Sequence, residues 1–241
     1  MSIKNHIIIK IITKVKSLKI FKNLVDRLYN SSMYWKYRHI INSSFWYNQY
    51  NHSTEKSRNI YSDISKKYSL NTFFEFGCGS APNLKNIITN HSKDIKYLGY
   101  DISNKAIDVC REKYSDKSYK FINKISKSII KDTLASYKSE SFDCAIYHRV
   151  FYLLNKKLIT KHLYEYSNLF KYIIIYDFHK KKSLQDSYLY RNYNILDYES
   201  LLLEFDFSII FKQKTDPYSE SQYFRNNAHF LLFKNNKKNN I

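Results

Sequence analysis

Glycine is almost missing from this chain: three occur among 241 residues, where average usage of about 7% predicts roughly 17. Proline is rarer still, at two. Cysteine is sparse too. Cys78, Cys110 and Cys144 are widely spaced, with no C-x-x-C and no paired histidines, which excludes a disulfide framework and argues against a zinc site. An odd count without a framework points to a reducing, cytoplasmic compartment. No run reaches the ~18 apolar residues of a membrane-spanning helix. The opening "MSIKNHIIIKIITKVKSLKIF" is apolar but broken by Lys4, Lys10, Lys14 and Lys16. It has no small-residue cleavage site and reads poorly as a signal peptide. Acid is also short: 21 Asp and Glu stand against 40 Lys and Arg, a net charge of +19.

Tyr (24), Phe (16), Lys, Asn and Ile are what the chain has in excess. Drift toward AT-rich codons gives this pattern and drains Gly, Pro, Ala and Arg, so residues that resist the drift are informative. Drift explains Lys in place of Arg but not the surplus of cations. That surplus favours an anionic partner, such as RNA, an anionic membrane surface met peripherally or a phosphorylated substrate; a plain solvated surface is the competing reading. Hydrophobic content of 44% is enough for a core, and the length suits one α/β domain with an extension.

Residues 3–29 place Ile8, Ile11, Ile12, Val15, Leu18, Phe21, Val25 and Leu28 at helical spacing between lysines. This is a basic amphipathic helix, packed on the main domain, docked on a membrane surface or held against a partner. An aromatic-rich segment, 31–52, follows, so 1–52 reads as an N-terminal extension. Ser53 or Thr54 caps a helix over 54–69. From Thr72 strands and helices alternate: "TFFEF", a helix 82–90, "KYLGYDI", a helix 104–114, "SYKFINK", a polar stretch, "SFDCAIYHR", a helix 155–169, "KYIIIYDF", a short helix in "DYESLLLEF", then "FSIIFKQK" and "HFLLFK". Such alternation predicts a parallel sheet with both faces covered. The last two strands have no helix between them and should pair as an antiparallel hairpin. The main domain is expected over 53–235 and a frayed tail over 236–241.

Two of the three glycines, Gly77 and Gly79, lie in "FFEFGCGSAP" (Phe73–Pro82), a strand ending in a Gly-x-Gly turn that opens a helix. Glycine is needed where the backbone takes φ > 0 or a ligand approaches closely. The third, Gly99, lies in "YLGYDIS", where Asp101 ends the next strand 22 residues after Gly79. An acid at about that distance is placed to accept ribose hydroxyls. Pro82 stands where a pyrophosphate site would offer an N–H. Glu75 would repel a pyrophosphate but suits a positively charged donor, the methionine end of S-adenosylmethionine.

At these residues the sequence resembles the class I S-adenosylmethionine-dependent methyltransferases of small-molecule type. "FEFGCGSA" looks like their first motif, "LGYDISNKAIDVCREKY" is similar to their second, and "SFDCAIYHRVFYLL" is like their fourth strand. "LDYESLLLEFDFSIIF" resembles the segment before their sixth strand, with Asp206 where glycine is usual. The resemblance covers roughly residues 70–235. It implies a Rossmann-like, seven-stranded, mostly parallel sheet with an antiparallel last strand, helices on both faces, and S-adenosylmethionine as cofactor. It also implies roles. Glu75 would hold the methionyl amino group. Phe76, Gly77, Cys78 and Gly79 would form the turn around the cofactor. Asp101 would take the ribose, Ile102 would pack on adenine and Ile125 would lie beside it. "YWKYRH" looks like a Tyr-Trp-x-x-Arg element, which would bring Trp35 to the cofactor and pair Arg38 with its carboxylate. The usual adenine-binding acid after the third strand is missing from "FINKIS".

Methyl transfer to a hydroxyl is helped by a general base. His148 at the end of the fourth strand is the first candidate, followed by Tyr147, Asp177 and His179. No Asn/Asp-Pro-Pro-aromatic follows that strand and no Pro-Cys pair is present. This argues against exocyclic-amine and cytosine-C5 methylation. What remains is O- or N-methylation of a small molecule, glycosyl and anionic metabolites included, with Tyr190 and Arg191 as an aromatic, basic wall for the acceptor. The alternatives are an RNA methyltransferase and a non-catalytic cofactor-binding partner protein.

Overall fold

The structure is a computed structural model that describes residues 35–36, 58–92, 94–179, 194–214 and 227–238. The expected helix over 3–29, most of the 31–52 segment and the domain boundary at 53 lie outside the described residues.

Helix α1 (Asn59–Lys67) buries Tyr61, Ile64 and Ser65. Strand β1 (Thr72–Phe76) leads into α2 (Pro82–Asn90), whose proline sits in the first turn, where a missing N–H costs nothing. Then come β2 (Lys96–Tyr100), α3 (Asn104–Lys113), β3 (Tyr119–Ile122) and α4 (Lys127–Ser136). They are followed by β4 (Phe142–His148), α5 (Lys156–Tyr166), β5 (Phe170–Phe178), α6 (Tyr198–Leu203), β6 (Phe207–Lys214) and β7 (Ala228–Asn235). Four helices start on a side-chain oxygen that accepts a first-turn N–H: Ser103, Ser126, Asn155 and Asp197. Each such cap is worth about 1 kcal/mol.

The seven strands form one sheet in the order β3-β2-β1-β4-β5-β7-β6. The first five pair in parallel, and β7 runs antiparallel to both β5 and β6. The Rossmann-like sheet with its reversed last strand is thus borne out. The closing hairpin forms as expected, with β7 seated between β5 and β6. Two apolar cores cover the two faces. One joins α1, α2 and α3 to Phe73, Tyr97, Ile146 and Ile174; the other joins α4, α5 and α6 to Phe74, Leu98, Tyr147 and Ile173. Strand order reverses between β1 and β4, so a ligand crevice belongs at the carboxyl ends of those strands.

Two local expectations need amending. The stretch after β3 is helical, because Ser126 caps it and Ile130, Thr133 and Leu134 bury one face. Residues 236–238, expected to fray, form a 3₁₀ turn: Asn236 N–H donates to Asp206 O at 2.8 Å and Lys237 Nζ lies 2.5 Å from the Asp206 carboxylate. Asp206, standing where glycine is usual, takes φ +63; aspartate is among the few other residues that enter the left-handed region readily.

Candidate active site

The turn after β1 is built as its sequence demands. Gly77 has φ +78 and Gly79 φ +54. The N–H groups of Gly77 and Cys78 both donate to Tyr100 O, at 2.7 and 2.9 Å, tying the turn to the end of β2. A Cβ on Gly77 would come within 3.0 Å of Val150 Cγ2 in the loop after β4. Gly99 survives for a different reason. A Cβ there would meet Tyr97 Cε1 at 2.8 Å and Cys78 Sγ at 2.9 Å, so the first-turn cysteine packs into the space that glycine leaves. All three retained glycines therefore shape the same corner.

Asp101 is buried beside this turn. One carboxylate oxygen accepts the Gly79 N–H at 2.9 Å and the other the Ser103 N–H at 2.9 Å. Burial pushes its pKa up to about 6 against those two hydrogen bonds. Glu75 lies under the turn, 1% exposed. Tyr97 OH donates to one of its oxygens at 2.5 Å and Asn83 Nδ2 to the other at 2.8 Å. Arg58 Nη1 in turn donates to Asn83 Oδ1. Burial pushes Glu75 up to about 7, opposed by the Tyr97 and Asn83 hydrogen bonds and the Arg58 charge.

Of the four catalytic candidates, His148 is the one packed with α1 at the carboxyl end of β4. Its Nδ1 lies 2.6 Å from Tyr61 OH, its ring stacks on Tyr176 at 4.8 Å, and its Nε2 is buried without a partner among the described residues. The Arg149 guanidinium lies over the Tyr176 ring at 5.2 Å. Burial, and then the Arg58 and Arg149 charges, hold the His148 pKa well below its usual value. Tyr147 belongs to the opposite core, its OH 2.9 Å from His162 Nε2. Asp177 is fully buried and accepts the N–H groups of Phe178 at 2.7 Å and Tyr152 at 3.1 Å; it pins the loop after β4. His179 Nε2 meets Glu199 at 3.0 Å, on α6. The candidates come from the ends of two neighbouring strands, β4 and β5, and the alternation of strand residues sets Tyr147 and His148 on opposite faces of the sheet.

The other expected residues divide similarly. Phe76 packs on Tyr100 and His162 on the α5 side. The Cys78 thiol is buried, and burial raises its pKa well above normal. Ile102 is half-buried at the end of β2, and Ile125 is half-buried against the second core. Trp35 is helical and half-buried. Arg38, Tyr190 and Arg191 lie outside the described residues.

Sequence reasoning missed Arg58, Tyr61, Asn83, Tyr97, Arg149 and Tyr176. For two of them a signal existed. The chain keeps seven arginines against 33 lysines, so arginine, like glycine, has been drained, and Arg58 and Arg149 both persist beside this corner.

The family described as a methyltransferase domain matches residues 74–169. The fold resembles the plantazolicin methyltransferase BpumL, solved with a monoazolic desmethylPZN analog and SAH: identity 16%, coverage 95% of this chain and 99% of that one, TM-score 0.57. Magnesium protoporphyrin IX methyltransferase from Synechocystis PCC 6803, solved with SAH, gives 15% identity, 88% and 99% coverage, and TM-score 0.57. The mitomycin 7-O-methyltransferase MmcR gives 8% identity and TM-score 0.55 over 76% of this chain, which spans only 54% of that protein's length. No curated protein matches the chain. Among the described residues no helix is long and apolar enough to cross a membrane.

Proposed function

We infer that this chain, whose residues 74–169 match a methyltransferase domain, is a Rossmann-like S-adenosylmethionine-dependent methyltransferase of class I that moves the methyl group to an oxygen or nitrogen atom of a small molecule. Glycosyl and anionic metabolites are the favoured acceptors. The observation that carries the reading is the left-handed Gly77–Gly79 turn joined to Asp101 through the Gly79 N–H. These residues fit the donor. Each Asp101 oxygen receives one backbone N–H and keeps a lone pair for a ribose hydroxyl. Ile102 and Ile125 leave apolar surface partly exposed where a flat base can lie.

Bound S-adenosylmethionine supplies a sulfonium methyl that is already activated, so the protein's work is to orient the acceptor and exclude water. Gly77, Gly79 and the backbones of Phe76 and Cys78 let the chain close on the donor. Glu75 adds negative potential under the turn for a methionyl ammonium group. Arg38 and Trp35 are proposed at the methionyl end, and Tyr190 and Arg191 at the acceptor, on an extension (1–52) and a main domain (53–235) as read from the sequence. The three cysteines are free and buried, which supports a reducing, cytoplasmic setting.

The decisive experiment is calorimetric titration with S-adenosylhomocysteine and with NADH, followed by incubation with methyl-labelled S-adenosylmethionine and panels of small acids, phenols, amines, glycosides and total RNA. S-adenosylhomocysteine binding without NADH binding, and label in a small molecule, is expected. Label in RNA, with binding that weakens steeply in salt, overturns the small-molecule reading. Neither the domain match nor the fold likeness adds support for an RNA or membrane partner.

A further inference from the structure

The Tyr61–His148 pair fixes more than a position. Tyr61 is 1% exposed, and its OH has His148 Nδ1 as its hydrogen-bond partner, at 2.6 Å. Two arrangements are open. If the ring carries its proton on Nδ1, it donates to the phenol oxygen. The buried phenol hydrogen and the Nε2 lone pair are then both left unpaired. If the ring carries its proton on Nε2, the phenol donates to Nδ1 and only the Nε2–H remains. Leaving one buried polar group unmet costs less than leaving two. The separation agrees, because hydroxyl donors form shorter bonds than N–H donors. Burial keeps Tyr61 protonated and His148 neutral, so neither group blurs the choice.

We propose that His148, held by Tyr61 in its Nε2–H form, is a hydrogen-bond donor that anchors a carboxylate of the methyl acceptor, and not a base that removes the acceptor's proton. A ring with its lone pair already committed to Tyr61 has no site left to take a proton. An N–H buried at the carboxyl end of β4 has to meet an acceptor atom of a ligand to recover its desolvation cost. The neighbouring charges choose the sign: the guanidinium groups of Arg58 and Arg149 act on this ring, while Glu75 and Asp177 have their oxygens occupied by Tyr97 and Asn83 and by backbone N–H groups. A single N–H suits one carboxylate oxygen, whereas a phosphate dianion calls for several donors. The assignment rests on the methyltransferase reading and narrows its acceptor to a small carboxylic acid.

The test is histidine-selective ¹⁵N NMR on the full chain, first alone and then saturated with S-adenosylhomocysteine, followed by titration with benzoate, benzamide and inorganic phosphate. Wild type should show the Nε2–H tautomer, and Tyr61→Phe should give a mixture. Benzoate should shift the His148 Nε2–H signal. His148→Leu should weaken benzoate by about tenfold or more, while His148→Gln, which keeps an N–H, should stay within about threefold. An Nδ1–H tautomer in wild type overturns the proposal without any variant. So does benzoate binding no tighter than benzamide, or phosphate displacing benzoate. Calorimetry of S-adenosylhomocysteine on the same sample separates the two readings. Its failure to bind strikes the methyltransferase function, whereas a wrong tautomer beside normal binding strikes only the carboxylate anchor.

Discussion

At the amino end of the sheet, Asp143 accepts the N–H groups of Asn71 and Thr72 at 2.9 and 3.0 Å and the Lys171 ammonium at 3.0 Å. At the carboxyl end, Glu75, Asp101 and Asp177 receive only neutral donors. Burial raises all four. At Asp143 the Asn71 hydrogen bond and Lys171 more than offset it, and the pKa falls below normal. At the other end burial wins, and the three acids rise to about 7, about 6 and about 7. The amino end uses a carboxylate to join β1, β4 and β5. The carboxyl end leaves its three buried carboxylates without a paired cation among the described residues, and desolvation therefore outweighs their hydrogen bonds.

The strongest way to break this contrast is at the turn. Gly79→Val should weaken S-adenosylhomocysteine by about a hundredfold or more in calorimetry, since strain at φ +54 costs on the order of 1–3 kcal/mol before any clash with the ligand. Asp101→Ala comes next, with affinity down by about ten- to a hundredfold while circular dichroism stays native. Wild-type affinity should also fall as pH drops through about 6, and Asp101→Asn should remove the part of that dependence due to Asp101.

A smaller effect sharpens the comparison through stability. Asp177 has a folded pKa of about 7, above the ordinary 3.8. Its contribution is therefore fullest below pH 3.8 and is lost as pH rises through about 7. Asp143 has the opposite sign: its contribution is present above its unfolded value and lost as pH falls through its lowered folded value. Thermal melts from pH 4 to 8 should show Asp177→Asn costing about 1–2 kcal/mol in acid and progressively less toward pH 8. Asp143→Asn should cost most at neutral pH and least in acid. Parallel curves would erase the distinction between the two ends. Least of all, Lys171→Ala, with its side chain 49% exposed, should cost only about 0.2–1 kcal/mol.

Legibility in the sequence followed the same division between local and distant. "TFFEF" and "FSIIFKQK" coincide with β1 and β6, because period and β-branched content act within a few residues. The Gly77–Gly79 turn and Asp101 could be placed because strand, turn and strand-end acid keep a short spacing. Helix α4 went unread although its cap and its Ile130–Leu134 face were present, since lysines and serines masked a narrow buried stripe. The Arg58–Asn83–Glu75–Tyr97 chain and the Tyr61–His148 pair join residues 22 and 87 apart, and no spacing rule announces such meetings. Choosing among His148, Tyr147, Asp177 and His179 needed the direction of each side chain, which only the sheet supplies.

The place of β7 has a consequence for how the protein comes into being. Chains emerge from the ribosome amino end first, and β6 leaves before β7, its one neighbour in the sheet among the described residues. Until His229, which pairs with Lys214, is synthesised, β6 lacks the strand it bonds to among the described residues. Through the same interval β5, carrying the apolar run Ile173–Ile175, presents an open edge. Unpaired strand edges are where nascent chains stick to one another. The hairpin that completes the sheet is thus also a late fastener, and the interval before it closes is when the newborn chain is most in need of a chaperone.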